Sequence, residues 1–282
     1  MPGVELNAPA SAEEIAAAEA ELGTTLPEEV RDYYRTCNGL LLDNGPDFPD
    51  LISGVRYLKD VRTILFSQVL VVVDNQQSNP ICVFHKGPLR GYVAHVFHDG
   101  DSRVRWRSFS SLLWKIRDQL SSDGDVDVEE LPGDLDEAFR SEHDVEAGRG
   151  MIQFANTTEL DEADRPIAYG FAFILLGDED VAEIAPFLEH EDMFVARAAR
   201  DRLGQLKGEA ARKALAKHRE EMKALVKYCA ELFQGAGRSV TIEHEYNIFV
   251  EPGRMGLNLE AIYTQRKRPD FDQWVLGIGR RG

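Results

Sequence analysis

Cysteine is scarce in this chain. There are three in 282 residues, Cys37, Cys82 and Cys229, scattered singly and without C-x-x-C spacing. That excludes a disulfide framework and a thiolate zinc site, and it leaves the three as small buried hydrophobes. Long apolar runs are missing too. No stretch approaches the roughly 18 residues of a membrane span, and Met1-Pro2-Gly3-Val4-Glu5 offers neither a basic nor an apolar leader. The expected location is the cytoplasm, with no membrane partner. Positive charge is in deficit, with 32 Lys+Arg against 49 Asp+Glu for a net −17, which argues against nucleic acid as a partner. There is no G-x-S-x-G elbow and no P-loop, so an enzyme of those classes lacks its frame.

The acidity is concentrated. Residues 1–120 carry 16 acids against 12 bases, residues 121–146 carry 11 against 1, and residues 147–282 carry 22 against 19. Charge of one sign at that density resists packing. Residues 121–146 therefore read as an acidic linker with one short helix at Leu135, Ala138 and Phe139. They divide the chain into an α+β domain at 1–120 and a second domain at 147–282.

In the first domain, Ser11 and Glu14 form a capping box. Ile15, Ala18 and Leu22 share a helical face, and Gly23 stops the helix. Pro27 opens a second helix with Glu28 and Glu29 in its first turn and Val30, Tyr33, Tyr34 and Cys37 as its apolar stripe; Asn38-Gly39 ends it. A mainly antiparallel sheet follows. The run from Gln68 to Asp74 is uniformly apolar and reads as a central strand. Ile81 to Phe84 and Gly91 to His98 follow, and Asp99-Gly100 is a hairpin turn. Pairing His98 with Asp101 sets Val93 opposite Trp106, His95 opposite Val104 and Phe97 opposite Ser102 on the core face. Arg103, Arg105 and Arg107 then form a basic stripe on the other face, over Tyr92, Ala94 and Val96. Phe109, Leu112, Leu113, Ile116 and Leu120 mark a closing helix.

Several of these motifs, taken in order, resemble the SUKH superfamily of fungal cell-wall regulators and bacterial immunity proteins. They are Leu22-Gly23, Leu26-Pro27-Glu28-Glu29, Tyr33-Tyr34, Asn38-Gly39, Ser78-Asn79-Pro80, His98-Asp99-Gly100 and Ser108-Phe109, and the resemblance covers residues 10–120. It implies a non-enzymatic α+β binding domain without a cofactor. It further implies an immunity protein that sits on a cognate toxin and blocks it. The acidic segment lies outside the family pattern.

Downstream, Asp180 to Leu188 and Met193 to Leu206 resemble one HEAT-type helical pair, leaning on a helix at Ile167 to Leu176 and a long one at Glu209 to Gln234. Beyond Gly235 the period changes. Residues 240–250 alternate as one strand, Pro252-Gly253 turns, Met255 to Tyr263 alternate again, and Trp274, Leu276 and Ile278 form a third strand. The expectation is a C-terminal antiparallel β-meander docked on the helices.

Candidate chemistry is sparse. His95 and His98 stand three apart on a strand and so face opposite ways, which argues against a metal shared with Asp99. His244 lies on an apolar strand face and reads as a satisfied core histidine. Most paired carboxylates sit in the acidic segment, with no pocket to raise either pKa. What remains is a protein-binding surface. The interface residues expected are Asp74, Asn75 and Asn79 in one polar turn and Asp99 and Asp101 at the hairpin tip, because binding residues concentrate on loops at sheet ends. To these the Arg103, Arg105, Arg107 stripe is added, which either docks an acidic partner or folds back on the chain's own acids. Gly23, Pro27, Asn38, Gly39 and Trp106 read as determinants of the fold. The acidic segment offers a phosphate-like row to the basic cleft of a nuclease toxin. The alternative to an immunity protein is a scaffold or regulator that binds several partners through its helical region.

Overall fold

A computed structural model describes residues 4–43, 45–58, 63–75, 78–97, 102–137, 139–243, 247–251 and 255–278. It divides into two units, Met1–Gly177 and Asp178–Gly282.

In the first unit, helix α1 (Ala12–Leu22) starts where the sequence signals it. Ser11 Oγ accepts from Glu14 N–H at 3.1 Å while the Glu14 carboxylate accepts from Ser11 N–H at 2.7 Å, and Gly23 closes the helix at φ 67°. Helix α2 (Glu28–Thr36) follows Pro27 and ends at Cys37, with Val30 and Tyr34 buried. Strands β1 (Val4–Leu6) and β2 (Leu40–Leu42) pair antiparallel beside a short helix α3 (Leu51–Arg56). The main sheet is antiparallel, in the order β3 (Val69–Val73), β4 (Ile81–Phe84), β5 (Val93–His95) and β6 (Arg103–Trp106). Helix α4 (Phe109–Asp123) returns from it, capped by Ser108 and stopped by Gly124 at φ 72°. The two helices α1 and α2 bury Ile15, Leu22, Val30 and Tyr34, and these meet Val83, Val93, Trp106, Phe109, Leu112 and Ile116 in one core.

The structure corrects the sequence at three places here. β3 is an edge strand, not a central one; it is buried throughout because α3 packs on it, with Gly54 lying too close to Val71 O for any side chain. The β5–β6 register begins as expected, with Val93 opposite Trp106, then shifts so that Ala94 meets Val104 and His95 meets Arg103. Arg105 is the extra residue of that β-bulge, so the three arginines do not form a stripe. Third, residues 121–146 are not a free linker. Val126, Val128 and Leu131 join the core, residues 134–136 form a 3-10 turn, and helix α5 (Glu142–Thr157) starts inside the segment behind a Ser141 cap. Helix α6 (Asp164–Ile174) packs along α5, with Gly148 placed for close approach, and reaches the sheet through Phe171, whose ring lies 5.7 Å from Phe84. The boundary between the units therefore falls at Gly177, because α5 and α6 cover the sheet.

In the second unit, helix α7 (Val181–Ile184) runs into a 3-10 turn, Ala185–Glu189, where Pro186 supplies no N–H for continued helix. Helices α8 (Met193–Gln205) and α9 (Glu209–Gly235) follow. The antiparallel strands are present but shorter than expected. Residues 240–250 fold as two strands, β7 (Val240–Glu243) and β8 (Asn247–Val250), and β9 (Met255–Leu257) adds the third. The alternation from Leu259 onward is helical instead: Asn258 caps α10 (Leu259–Thr264), and Leu259, Ile262 and Tyr263 are buried at helical spacing. Trp274, Leu276 and Ile278 lie in helix α11 (Phe271–Ile278), which buries Phe271 and Val275 one turn apart. These faces close on Met222, Leu225, Val226, Cys229 and Phe233 of α9 to form the second core. His244 lies outside the described residues.

Candidate protein-interaction surface

The polar turn after β3 does structural work. Asp74 exchanges main-chain hydrogen bonds with Asp47, and its carboxylate accepts from the Tyr57 hydroxyl at 3.0 Å. Burial and that carboxylate push the Tyr57 phenol up to about 12. Asn75 Oδ1 accepts from Asn79 N–H at 3.1 Å, and the Asn79 carbonyl lies 3.1 Å from His95 Nε2. His95 is buried, and its burial, with the charge of Arg105, lowers its pKa to about 4, so it is neutral at pH 7. Asp99, Asp101 and His98 lie outside the described residues.

The three arginines part company. Arg103 is exposed, opposite His95 on β6. Arg105 is buried, its side chain only 5% exposed, and its guanidinium donates to the carbonyls of Val128, Glu129 and Leu131. Trp106 Nε1 donates to Pro132 O at 3.2 Å. Arg107 donates to the carbonyls of Asp134 and Phe139 and, through Nε, to the buried Asp144 carboxylate at 3.0 Å. Of the two outcomes open to this stripe, Arg105 and Arg107 take the second and fold back onto the chain's own acidic segment.

Asp144 was invisible in the sequence among its acidic neighbours. It sits at the third position of α5 and accepts from Ser141 N–H at 2.7 Å, Ser141 Oγ at 2.8 Å, Tyr92 Oη at 2.9 Å and Arg107. Burial alone would raise its pKa, but these donors together outweigh it and hold the carboxyl below its ordinary value.

The result is a strap, residues 125–137, fixed along β6 with its apolar residues inward. Its outward positions are carboxylates: Asp125, Asp127, Glu129, Glu130, Asp136 and Glu137 are all exposed, and Asp123 precedes them. Some of them also serve the backbone, since Asp125 accepts from Val126 N–H, Asp127 from Glu129 N–H and Asp136 from Gly133 N–H. Phe139, at the end of the row, is 69% exposed, while its carbonyl is held by Arg107 and Arg140. A hydrogen-bonded backbone, a row of one charge sign and an exposed aromatic suit protein recognition. The sequence did carry a signal for this, the alternation Val126, Val128 between acids, but charge density concealed it.

Among the described residues no group of three or more His, Cys, Asp or Glu is placed to hold a metal ion, and no helix is long and apolar enough to cross a membrane. The three cysteines are buried, and burial raises each thiol pKa. No curated protein matches the chain. Residues 9–115 match the SMI1 / KNR4 family (SUKH-1), and the matched span holds the capped α1, the α2 start at Pro27, the whole four-stranded sheet and the first turns of α4. The chain thus carries a SUKH domain at its N-terminus.

Proposed function

We propose that this chain is a non-catalytic immunity protein of the cytoplasm that binds and neutralises a cognate toxin, and that the outward face of the strap is the contact surface. The observation that carries this is the carboxylate row beside a SUKH domain: Asp125, Asp127, Glu129 and Glu130 are exposed on a segment whose carbonyls at Val128, Glu129 and Leu131 Arg105 holds, and Asp123, the last residue of α4, precedes them. A preorganised row loses little conformational freedom on binding, and its charge steers a basic partner toward it. A nuclease whose cleft binds phosphates fits the charge sign of such a row.

The test begins with affinity capture by the full chain from native lysate and secreted fraction at moderate salt. One dominant protein with a toxin-like C-terminal region supports the proposal; several weak partners favour a scaffold. With the partner in hand, replacing Asp123, Asp125, Asp127, Glu129, Glu130 and Glu137 by Asn or Gln should slow association at least about tenfold at low salt and flatten its salt dependence. An unchanged on-rate removes the strap from the interface.

A further inference from the structure

β7 is the outer strand of the second unit's sheet, whose order is β7-β8-β9. Glu251 N–H donates to Ser239 O at 2.9 Å, and the register then runs through Val240 opposite Val250, Thr241 opposite Phe249 and Ile242 opposite Ile248. Hydrogen-bonded pairs alternate along an antiparallel ladder, so Ser239 and Thr241 aim their main-chain groups at β8 while Val240 and Ile242 aim theirs away from it. Among the described residues nothing takes up those outward N–H and C=O groups. Natural edges are commonly blunted by lysine, proline or a bulge, and β7 has none of these. It also offers apolar surface: Ile242 shares a sheet face with the buried Ile248 yet is itself 50% exposed.

The strand is complementary to a second copy of itself. Two-fold antiparallel pairing about Thr241 sets Val240 against the partner's Ile242 and Ile242 against the partner's Val240, which are the residues whose main-chain groups point outward. The same register lays the partner's Val240 beside the exposed part of Ile242 and extends the apolar face that Ile248 and Val250 present to α9. Charge agrees with this direction. Arg238 precedes the strand and Glu243 ends it, so antiparallel pairing brings Glu243 to within one residue of the partner's Arg238, where parallel pairing would set like charges together. Other edges fit a second copy less well. On β9 only Gly256 is directed outward, because the main-chain groups of Met255 and Leu257 are aimed at β8; a head-to-tail chain of β7 on β9 therefore gains little. On β1, Asn7 N–H donates to Gly39 O at 3.1 Å, which leaves Val4 and Leu6 outward, and two-fold pairing there would set Glu5 against the partner's Glu5.

We infer that the β7 edge is a self-association surface through which two copies of this chain join their three-stranded sheets into one continuous sheet. This goes beyond the toxin-binding reading, which rests on the first unit and needs no second copy. One strand pair buries little area, so the dimer is a weak one, with a Kd of about 1–100 μM.

Sedimentation velocity of the full chain from about 1 to 200 μM should show a monomer–dimer equilibrium in that range. Ile242→Pro removes an outward N–H and the exposed apolar side chain but no hydrogen bond to β8, a substitution that edge strands accept; it should weaken the dimer at least about tenfold while far-UV circular dichroism stays the same. Thr241→Cys reads the register directly, since it would lie opposite its own copy at a distance a disulfide spans. The native cysteines are buried. Under mild oxidation this variant should form a covalent dimer at least about tenfold faster than Glu243→Cys, whose counterpart stands about 13 Å away along the paired strand. A chain that stays monomeric at about 200 μM, a Pro variant that is folded and dimerises like the native chain, or equal rates of crosslinking by the two cysteine variants would each overturn the inference. The native chain and the cysteine variants give their answer whether or not the Pro variant folds.

Discussion

Asp144→Ala is the sharpest test of how the first unit is held together. The carboxylate is fully buried and accepts from Ser141, Tyr92 and Arg107. Three losses follow its removal. The capping box that starts α5 disappears, at a cost of about 1 kcal/mol. The Tyr92 hydroxyl, on a residue only 1% exposed, is left without its acceptor, at about 1–3 kcal/mol. Arg107 loses its partner, but its side chain is 31% exposed, so water recovers much of that interaction and the charge contributes about 1 kcal/mol or less. The sum is about 2–5 kcal/mol, overlapping the range expected when one member of a buried pair is deleted. Urea unfolding followed by tryptophan emission reports it best in a Trp274→Phe background, where Trp106 and Trp114 both lie in the first unit. At a slope of about 2–3 kcal/mol per molar, the midpoint should fall by about 0.7–2.5 M. The pH dependence adds a second constraint. The folded pKa of Asp144 is lowered, so its contribution is present above the unfolded carboxylate value near 3.9 and is lost as pH falls through the folded pKa. The gap between native and variant chains should be full at pH 7 and close below about pH 4. A loss under about 1 kcal/mol at pH 7, or a gap that ignores pH, would mean that the network does not carry α5.

Other perturbations test separate parts of the argument. Arg105→Met should destabilise the first unit by about 2–4 kcal/mol, with Arg105→Lys intermediate, because an ammonium cannot span the carbonyls of Val128, Glu129 and Leu131 as a guanidinium does; equal stability of the Lys variant and the native chain in urea would contradict this. Glu29 of α2 accepts from Phe109 N–H at 2.8 Å and Ser110 N–H at 3.0 Å, so it caps α4 from a distance, and Glu29→Ala should cost about 1 kcal/mol in thermal or urea unfolding. Gly39 has φ +89° and no room for a Cβ beside Phe48 O and Asp50 N, so Gly39→Ala should lower the melting temperature markedly, where an exposed glycine without those constraints would tolerate alanine. His95 has a folded pKa of about 4, below its unfolded value near 6.5. The unfolded chain therefore binds the proton first, and stability should decline as pH falls from about 6.5 to 4 by an amount on the order of 3 kcal/mol that His95→Gln abolishes.

The N-terminal helices were legible because their signals are local. A capping box, a left-handed glycine and a proline at a helix start act within a few residues and depend on nothing distant. The sheet was legible in part: Val93 does face Trp106, but the bulge one step later has no local signature, since it serves Arg105, and Arg105 answers to carbonyls more than twenty residues away. The same distance hid the edge position of β3, which is apolar on both faces because α3 covers it. In the second unit, short amphipathic helices such as α10 and α11 carry apolar residues that mimic alternation over so few positions. Only the Asn258 cap, which accepts from Ala261 N–H at 3.2 Å, distinguishes the first of them.

The acidic segment shows why charge density alone misleads. Counted by unit, residues 1–177 carry 31 acids and 15 bases, and residues 178–282 carry 18 and 17, so nearly all the net charge belongs to the unit that holds the SUKH domain. A flexible acidic linker would spread that charge over many conformations, giving a diffuse attraction. The strap does the opposite. Val126, Val128 and Leu131 are drawn into the core, Arg105 binds the carbonyls between them, and the carboxylates are left on the one side that faces water. Its acidity and its order are linked: from Asp125 to Val128 buried and exposed residues alternate, and the turn at residues 128–130 leaves Glu129 and Glu130 exposed while Leu131 returns to the core. The buried half of this pattern fixes where the exposed half stands. Mutations on the inner side, at Val128 or Arg105, should therefore weaken a partner that touches only the outer side, and do so through dissociation, whereas outer-side neutralisation acts on association.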